Sequence, residues 1–560
     1  MSDLQTVSAE ELAILEPLGE RRTVEVDDVL YRAGDPIYDF YVVISGQVEI
    51  TVEGGDVVAT HGPGRFLGEL NMLTGSRVFV TARVSERGEV LAVPATSLRL
   101  VLATEPELSD KILATFMERR ATLRAGAASA ATRVIASRYS PESLQIREFL
   151  ARCQLPYEWL DPDADSEVDE LLQQFEVSPS ELPVVISSGV VLRQPTPASI
   201  AGYLGLTVGN LPERQFDLVI VGGGPAGLAA AVYGASEGLS TLGFDMVAPG
   251  GQAGTSSRIE NYFGFPTGIS GGDLVQHGMI QAEKFGAQLR APCAGVSLRE
   301  DAGHLIVELS DGTTVTGRAV IAATGARYRR LEVERLEEFE GRGVYYAATD
   351  LEARICAGNA AVVVGGGNSA GQAAVFLADQ GSSVTVLIRG GDLGADMSRY
   401  LVDRLERHPR ITVKTETVVT GLDGEESLAA VRIRGPEGER RIVCAALFSF
   451  IGADAGAAWL SSCAALDEDG FVLTDRDLLP EHLGDRWSAI GRTPLPFETS
   501  RPGLFAVGDV RSGSMKRVAA AVGEGSSAVR SVHQFLAFSK RSAPAVPSTA
   551  SATIRKGGTR

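Results

Sequence analysis

Two glycine-rich turns of one kind, about 140 residues apart, constrain this chain more than any other feature. The first lies in VIVGGGPAGLAAAVYGA, where Gly222, Gly224 and Gly227 form G-x-G-x-x-G. The second lies in AVVVGGGNSAGQAAVFLA, where Gly365, Gly367 and Ala370 form G-x-G-x-x-A. Each follows an apolar β-like run and opens a helix-like run, the context that makes a glycine match a dinucleotide site. The first glycine makes the tight turn, the second lets backbone approach a pyrophosphate, and the third lets helix and strand pack closely. The helix N-terminus then faces the phosphates. Two such motifs in tandem imply a flavin and a nicotinamide on one chain.

A length of 560 residues predicts three to five domains, and an apolar fraction of 44% is ample for several cores. The formal charge of −19 argues against a nucleic-acid backbone as partner. The sequence shows no N-terminal signal and no apolar stretch of membrane-spanning length, so a cytoplasmic protein is expected. The five cysteines, Cys153, Cys293, Cys356, Cys444 and Cys463, include no C-x-x-C. Neither a disulfide framework nor a metal site fits that pattern.

Residues 23 to about 100 alternate apolar and polar positions with frequent Gly and Asp, which predicts a β-roll or barrel. A helical reading from 98 to about 128 follows, then a small-residue stretch, AGAASAAT. From Arg133 the pattern alternates strand and helix three times, which predicts a small α/β domain. The tail from about 539 is rich in Ser, Ala, Pro and Thr and is expected to be disordered. The expected boundaries are 1–128, 133–206, 214–335 with 450–537, 340–449, and a tail at 539–560.

The residues after the first turn sharpen the picture. Asp245 ends the next strand, 18 residues after Gly227, where a carboxylate can bond a ribose hydroxyl. Downstream come Gly250-Gly251-Gln252, Glu260-Asn261, Ala323-Thr324-Gly325 and Gly508-Asp509, in that order. On these motifs residues 214 to about 537 resemble the thioredoxin reductase branch of the flavoproteins with two dinucleotide-binding domains. The resemblance implies an FAD domain at 214–335 and 450–537. Its FAD contacts would be Gly222, Gly224, Pro225, Ala226, Gly227, Asp245, Gly251, Gln252, Asn261, Thr324, Gly325, Gly508 and Asp509. Arg517, Val518 and Ala519 would lie near the flavin ring. The inserted NAD(P) domain would use Gly365, Gly367, Asn368, Ser369, Ala370 and Arg389.

The family's two adjacent arginines for the 2′-phosphate are reduced here to Arg389, with Gly390 beside it and Arg399 as a substitute candidate. No acidic residue ends the strand at the position NAD-specific sites use, so NADPH is expected in preference to NADH. In the family a redox C-x-x-C precedes the second glycine motif. Ala347 and Asp350 occupy those positions here. Without a thiolate pair there is no dithiol relay to a substrate disulfide. Cys356 reads as structural, and no catalytic residue can be assigned.

Residues 133–206 resemble a glutaredoxin or thioredoxin fold. Glu181-Leu182-Pro183-Val184 matches its proline loop, with a cis bond expected before Pro183. Its C-x-x-C position holds Ser140-Pro141-Glu142-Ser143, and a serine hydroxyl cannot serve as a redox thiolate. Cys153 reads as buried, and the domain as a docking module. Residues 8–125 resemble a cyclic-nucleotide-binding domain, which implies Gly68, Glu69 and Arg77 as candidate ligand contacts. In TGSRVFVTA, however, Val78 holds the family's arginine position and Arg77 lies one residue early. A one-residue slip on a strand turns a side chain to the opposite face.

The expected fold class is therefore multidomain: a β-roll, a small thioredoxin-like α/β domain and two Rossmann-like domains of three-layer ββα type. The expected function is an FAD-dependent oxidoreductase resembling thioredoxin reductase, passing electrons from NADPH to an acceptor. That acceptor is a thioredoxin-like protein, a ferredoxin or a small molecule, and the resemblance implies a homodimer. Two alternatives stay open: a ferredoxin- or flavodoxin-type NADP reductase, and a flavin-binding sensor or scaffold that does not turn over.

Overall fold

A computed structural model of the chain describes residues 6–542 apart from 36–37, 53–56, 69–76, 79, 126–131, 138–139, 154, 156, 163–167, 188, 212–213, 257, 260, 347, 349–352, 354–355, 357 and 396. The N-terminal part is a six-stranded β-roll in which 81–93 pairs with 20–24, 29–31 and 40–51. Period-two alternation explains its two cores. Phe40 and Val42 face the helices, whereas Tyr41 and Val43 face the roll interior. The helices are α1 (Ala95–Thr104) and α2 (Pro106–Ala125). The sequence reading made these one helix, but Pro106 lacks an N–H and starts a new one.

The middle part is a four-stranded sheet in the order 190–193, 184–187, 132–135, 158–160. Strand 132–135 runs parallel to 158–160 and antiparallel to 184–187. Helices α3 (Pro141–Arg152), α4 (Val168–Gln174) and α5 (Pro197–Leu204) connect or follow these strands. The Leu182–Pro183 bond is cis, as expected, and so is Ala291–Pro292, which the sequence did not suggest. The edge strand Val190–Arg193 was missed: only four residues long, it follows Gly189, which turns at φ +74°.

The first glycine turn belongs to a seven-stranded sheet ordered 288–290, 241–244, 215–221, 314–322, 304–309, 295–301, with 504–506 beside 314–322. Strands 215–221, 241–244, 288–290 and 504–506 are parallel to their neighbours, and 295–301 and 304–309 form an antiparallel flap. The sheet is covered on both faces, so strand 215–221 ends in a continuous buried apolar run, Leu218–Val221. Leu218 and Ile220 pack on α6 (Pro225–Ser236), α7 (Gly271–Lys284) and α10 (Val518–Ser542). Val219 and Val221 pack on the opposite face with Leu298, Leu305 and Val307. Val208 and Leu211, between the expected domains, are 0% and 6% exposed in this same core.

The second glycine turn sits in a five-stranded parallel sheet ordered 344–345, 446–449, 360–364, 383–387, 411–414. One face carries α8 (Asn368–Asp379) and α9 (Arg399–Arg407). The other carries a three-stranded meander, 418–424, 428–435 and 438–443. Both halves are thus three-layer ββα units.

Candidate cofactor-binding site

The first turn has the geometry its glycines require. Gly222 has φ +112°, a left-handed conformation that L-residues rarely adopt. A Cβ on Gly227 would stand 1.9 Å from the Gly222 carbonyl oxygen, so any larger residue would push α6 off the strand. Gly224 is the N-cap of α6, Pro225 follows at N1, and the N–H groups of a helix's first turn suit an anion. In the second turn Gly365 has φ +142°, and Gly367 caps α8 with open space where a side chain would stand.

Asp245 follows strand 241–244, as expected, and its carboxylate is already engaged. Oδ2 accepts from Gly223 N at 2.9 Å, and Oδ1 accepts from Val247 N and Ala248 N at 3.0 and 3.1 Å. It therefore shapes the 245–251 loop, and a ribose hydroxyl would be a further donor. Gly250 N donates to Gly223 O at 2.7 Å, which fastens that loop to the turn. Gln252 Nε2 donates to Ala326 O at 2.6 Å, and Thr324 Oγ1 donates to Gly456 O at 2.7 Å. These two bonds, with Gly456 N to Gly325 O at 2.9 Å, join the segments at 252, 324–326 and 456 into one wall.

Gly508 turns at φ +70°, and Asp509 follows it half-buried. Burial pushes the Asp509 carboxyl above its ordinary value; Lys516 draws it down and Glu524 pushes it further up. Among the described residues this carboxylate accepts no protein hydrogen bond. A half-buried acid kept unpaired fits a ligand hydroxyl, and the open N-termini of α6 and α8 fit two pyrophosphates. The residues present therefore suit FAD and a nicotinamide dinucleotide. Arg517 precedes α10, and Val518 and Ala519 start it, on an accessible face.

Sequence reasoning did not single out the residue that holds the 508–511 turn. Glu524, on α10, accepts from Gly508 N at 2.7 Å, Arg511 Nε and Nη2 at 3.2 and 2.7 Å, and Ser514 Oγ at 2.9 Å. The run AVGEGSSA was its only signal. Asn261 is exposed in a cleft of about 440 Å³ with Arg258, Pro266, Thr267, Gly268 and Tyr400 of α9.

On the nicotinamide side, Asn368 Oδ1 accepts Ser398 N at 2.7 Å, so this side chain ties α8 to the start of α9. Ser369 is exposed and Ala370 fully buried. Arg389 is exposed just past strand 383–387. Arg399 instead pairs with Asp403 at 2.9 Å along α9.

Ala347 and Asp350 lie outside the described residues. None of the five thiols forms a disulfide. Burial pushes the Cys293 thiol up to about 11 and the Cys444 thiol up to about 12, and raises Cys463 as well. These three stay protonated at neutral pH and are poor nucleophiles. Cys356 is fully buried, near enough to Cys444 to raise its pKa, and Cys153 caps the C-terminus of α3 partly buried.

In the β-roll, Gly68 turns at φ +97°, and Glu69 lies outside the described residues. Arg77 Nη1 donates to Gly34 O at 2.7 Å, its backbone N donates to Leu204 O at 3.1 Å, and its guanidinium lies 6.0 Å from the Tyr203 ring. Val78 instead points into the roll core. The arginine thus reaches α5 of the middle part, and an apolar side chain takes the inward place.

Comparison with known proteins agrees with this architecture. Residues 216–525 match the family model described as pyridine nucleotide-disulphide oxidoreductase, and residues 21–105 match the cyclic nucleotide-binding domain. A thioredoxin reductase of Treponema pallidum is 32% identical over 328 residues, 58% of this chain and 98% of that protein. The bifunctional thioredoxin reductase/thioredoxin of Mycobacterium leprae is 31% identical over 334 residues, covering 59% of this chain and 68% of the relative. The solved structure of Lactococcus lactis thioredoxin reductase, in its FR conformation, gives a TM-score of 0.51 at 28% identity, covering 57% of this chain and 99% of that one.

Proposed function

The chain belongs to the pyridine nucleotide-disulphide oxidoreductase family, and on that footing we propose that it moves electrons from NADPH to an acceptor that is not reached through a C-x-x-C pair. It is an NAD(P)H-dependent flavoprotein oxidoreductase of the thioredoxin reductase type, with FAD and NADPH as cofactors. Bound FAD supplies the two-electron chemistry; the protein binds, orients and shields.

The observation that carries the reading is the pair of glycine turns, each between a parallel strand and a helix N-terminus in its own sheet. Gly222, Gly224, Pro225, Ala226 and Gly227 would hold the FAD pyrophosphate, with Asp245 and Gly251-Gln252 beside it. Asp509 would take a ribitol hydroxyl, and Arg517 to Ala519 would border the ring. Gly365, Gly367, Ser369 and Arg389 would hold NADPH. The buried, protonated thiols support an acceptor other than a disulfide relayed through this chain, such as a ferredoxin or a small molecule. A thioredoxin-like protein, the partner in the relatives' names, is the competing acceptor.

The strand order and directions of 132–193 support a thioredoxin-like fold for the middle part, used for docking. The N-terminal match supports a ligand-binding role for the β-roll, with a cyclic nucleotide as the first candidate. Among the described residues no helix is long and apolar enough to cross a membrane. A cytoplasmic homodimer completes the reading.

The test is anaerobic mixing of the purified flavoprotein with NADPH and with NADH. Rapid bleaching of the flavin by NADPH, followed by turnover with ferricyanide or ferredoxin but not thioredoxin, is the expected result. No bleaching with either nucleotide would leave the sensor or scaffold reading. Efficient thioredoxin reduction would overturn the non-disulfide acceptor.

A further inference from the structure

Arg152 ends α3 of the middle part, yet its guanidinium sits inside the dinucleotide-binding half. Nη2 donates to the carbonyls of Ala248 at 3.0 Å and Gly251 at 3.4 Å. Nη1 lies 3.2 Å from Glu148 Oε1, one turn back on the same helix. The side chain is 16% exposed, and Nε is enclosed without an acceptor. An arginine buried this far and committed to two carbonyls is built into the contact, because its planar fork loses little freedom in making it.

Those carbonyls belong to the middle and the end of the 245–251 loop, which forms one wall of the phosphate turn. Asp245 holds the loop's start through Val247 N and Ala248 N. Gly250 N holds its middle to Gly223 O at 2.7 Å. Across from it, a Cβ on Gly251 would be 3.0 Å from Gly224 Cα, so the two backbones already touch. Among the described residues no hydrogen bond from its own domain reaches the Gly251 carbonyl. Arg152 supplies one. A trans peptide is planar, with C=O and N–H opposed, so holding the Gly251 carbonyl on Arg152 turns the Gln252 N–H away from the middle part. Gln252 is itself pinned through Nε2 to Ala326 O.

We propose that Arg152 is a positioning residue for FAD: a side chain of the middle part that orients the Gly251–Gln252 peptide, so that retention of the flavin depends on docking of that part. The proposal rests on the reading that the 222–227 turn holds FAD. Two further contacts keep α3 and α5 docked. Leu144 Cδ1 stands 2.9 Å from where a Cβ on Gly341 would be, and Ala291 N donates to Leu206 O at 3.2 Å.

The test uses the full chain reconstituted with FAD, reading the FAD dissociation constant and the visible circular dichroism of the bound flavin. Arg152→Met keeps the apolar stem and removes the donors. It is expected to weaken FAD about tenfold and change the flavin dichroism, the effect of losing charge-assisted hydrogen bonds. Arg152→Lys, with one point-like donor group, should recover part of the affinity. Glu148→Gln leaves both carbonyl bonds and should bind FAD as the parent does. Parent affinity and an unchanged flavin spectrum in a folded Arg152→Met would overturn the proposal. So would equal weakening by Glu148→Gln, which would make the effect one of helix stability. A parent chain that takes up no FAD would instead sink the underlying reading.

Discussion

Truncating Glu524 to alanine tests what holds the 508–511 turn. The Glu524 carboxylate accepts hydrogen bonds from Gly508 N, Arg511 Nε, Arg511 Nη2 and Ser514 Oγ. Its side chain is 12% exposed and that of Arg511 is 16% exposed. Glu524→Ala leaves the guanidinium, among the described residues, with the Ser512 carbonyl on Nη1, the Phe497 ring and the more distant charges of Asp475 and Asp477, and leaves the Gly508 N–H without its acceptor. Removing one member of a buried ion pair costs about 3–5 kcal/mol, because the remaining charge is stranded. That is a large share of the 5–15 kcal/mol typical of a folded domain. Glu524→Gln keeps one acceptor oxygen and should cost about half as much. The assay is urea unfolding of the FAD-binding half, followed by release of the flavin and by far-ultraviolet circular dichroism. Asp403→Asn, which breaks the exposed Arg399–Asp403 pair, is the internal reference, with an expected change under about 0.5 kcal/mol. If Glu524→Ala costs no more than Asp403→Asn, the ion pair does not hold the turn, and the placement of Asp509 must come from elsewhere.

Asp509→Asn should separate binding from stability. Burial raises the folded carboxyl above its ordinary 3.8, so the charged form destabilises the fold once pH exceeds 3.8, fully so above the folded value. The amide should therefore make the flavin-free protein more stable at neutral pH, lose that advantage in acid, and bind FAD more weakly; melting and FAD titration on one preparation check both signs. His61, buried with Nδ1 unpartnered and facing the charges of Arg119 and Arg65, is pushed down to about 3. The unfolded chain gains a proton there below pH 6.5, so the β-roll should lose about 1.4 kcal/mol per pH unit between 6.5 and about 3, a slope that His61→Phe should flatten in acid-unfolding curves. Arg389→Ala should raise KM for NADPH about tenfold and leave NADH unchanged, the signature of one lost arginine–phosphate contact; equal effects on both nucleotides would remove Arg389 from the 2′-phosphate site.

The glycine turns were legible because their chemistry is local: spacing alone says where backbone must bend and where a helix must come close. The slip at Arg77 and Val78 was legible in the motif spacing; both residues precede strand 81–93, and it is Val78 that enters the roll core. Four kinds of feature were not. Glu524 acts across a turn through bonds that any glutamate in a polar run could make. Arg152 meets Gly251 across 99 positions of sequence, and no periodicity reports on that. Asp245 was placed correctly after its strand, but its three backbone hydrogen bonds depend on a loop whose path is set by Gly223 and Gly250. Short edge strands such as Val190–Arg193 escape because four residues carry too little alternation to stand out.

Val208 and Leu211 change what kind of machine the front of the chain can belong to. A shuttle arm works by slack: it leaves one station, reaches another and returns on a free length of chain. Here the joint between the middle part and the flavin half is swallowed by the flavin half's own interior, and Leu206 is bonded to Ala291 just before it. The middle part is mounted and has no leash. It can report, brace or receive, but carrying electrons back and forth by swinging would first require pulling two side chains out of a core, at about 1.5–3 kcal/mol apiece. Anyone dividing this chain into pieces should cut ahead of residue 208, and a graft of another carrier onto the flavin half would inherit the mount along with the enzyme.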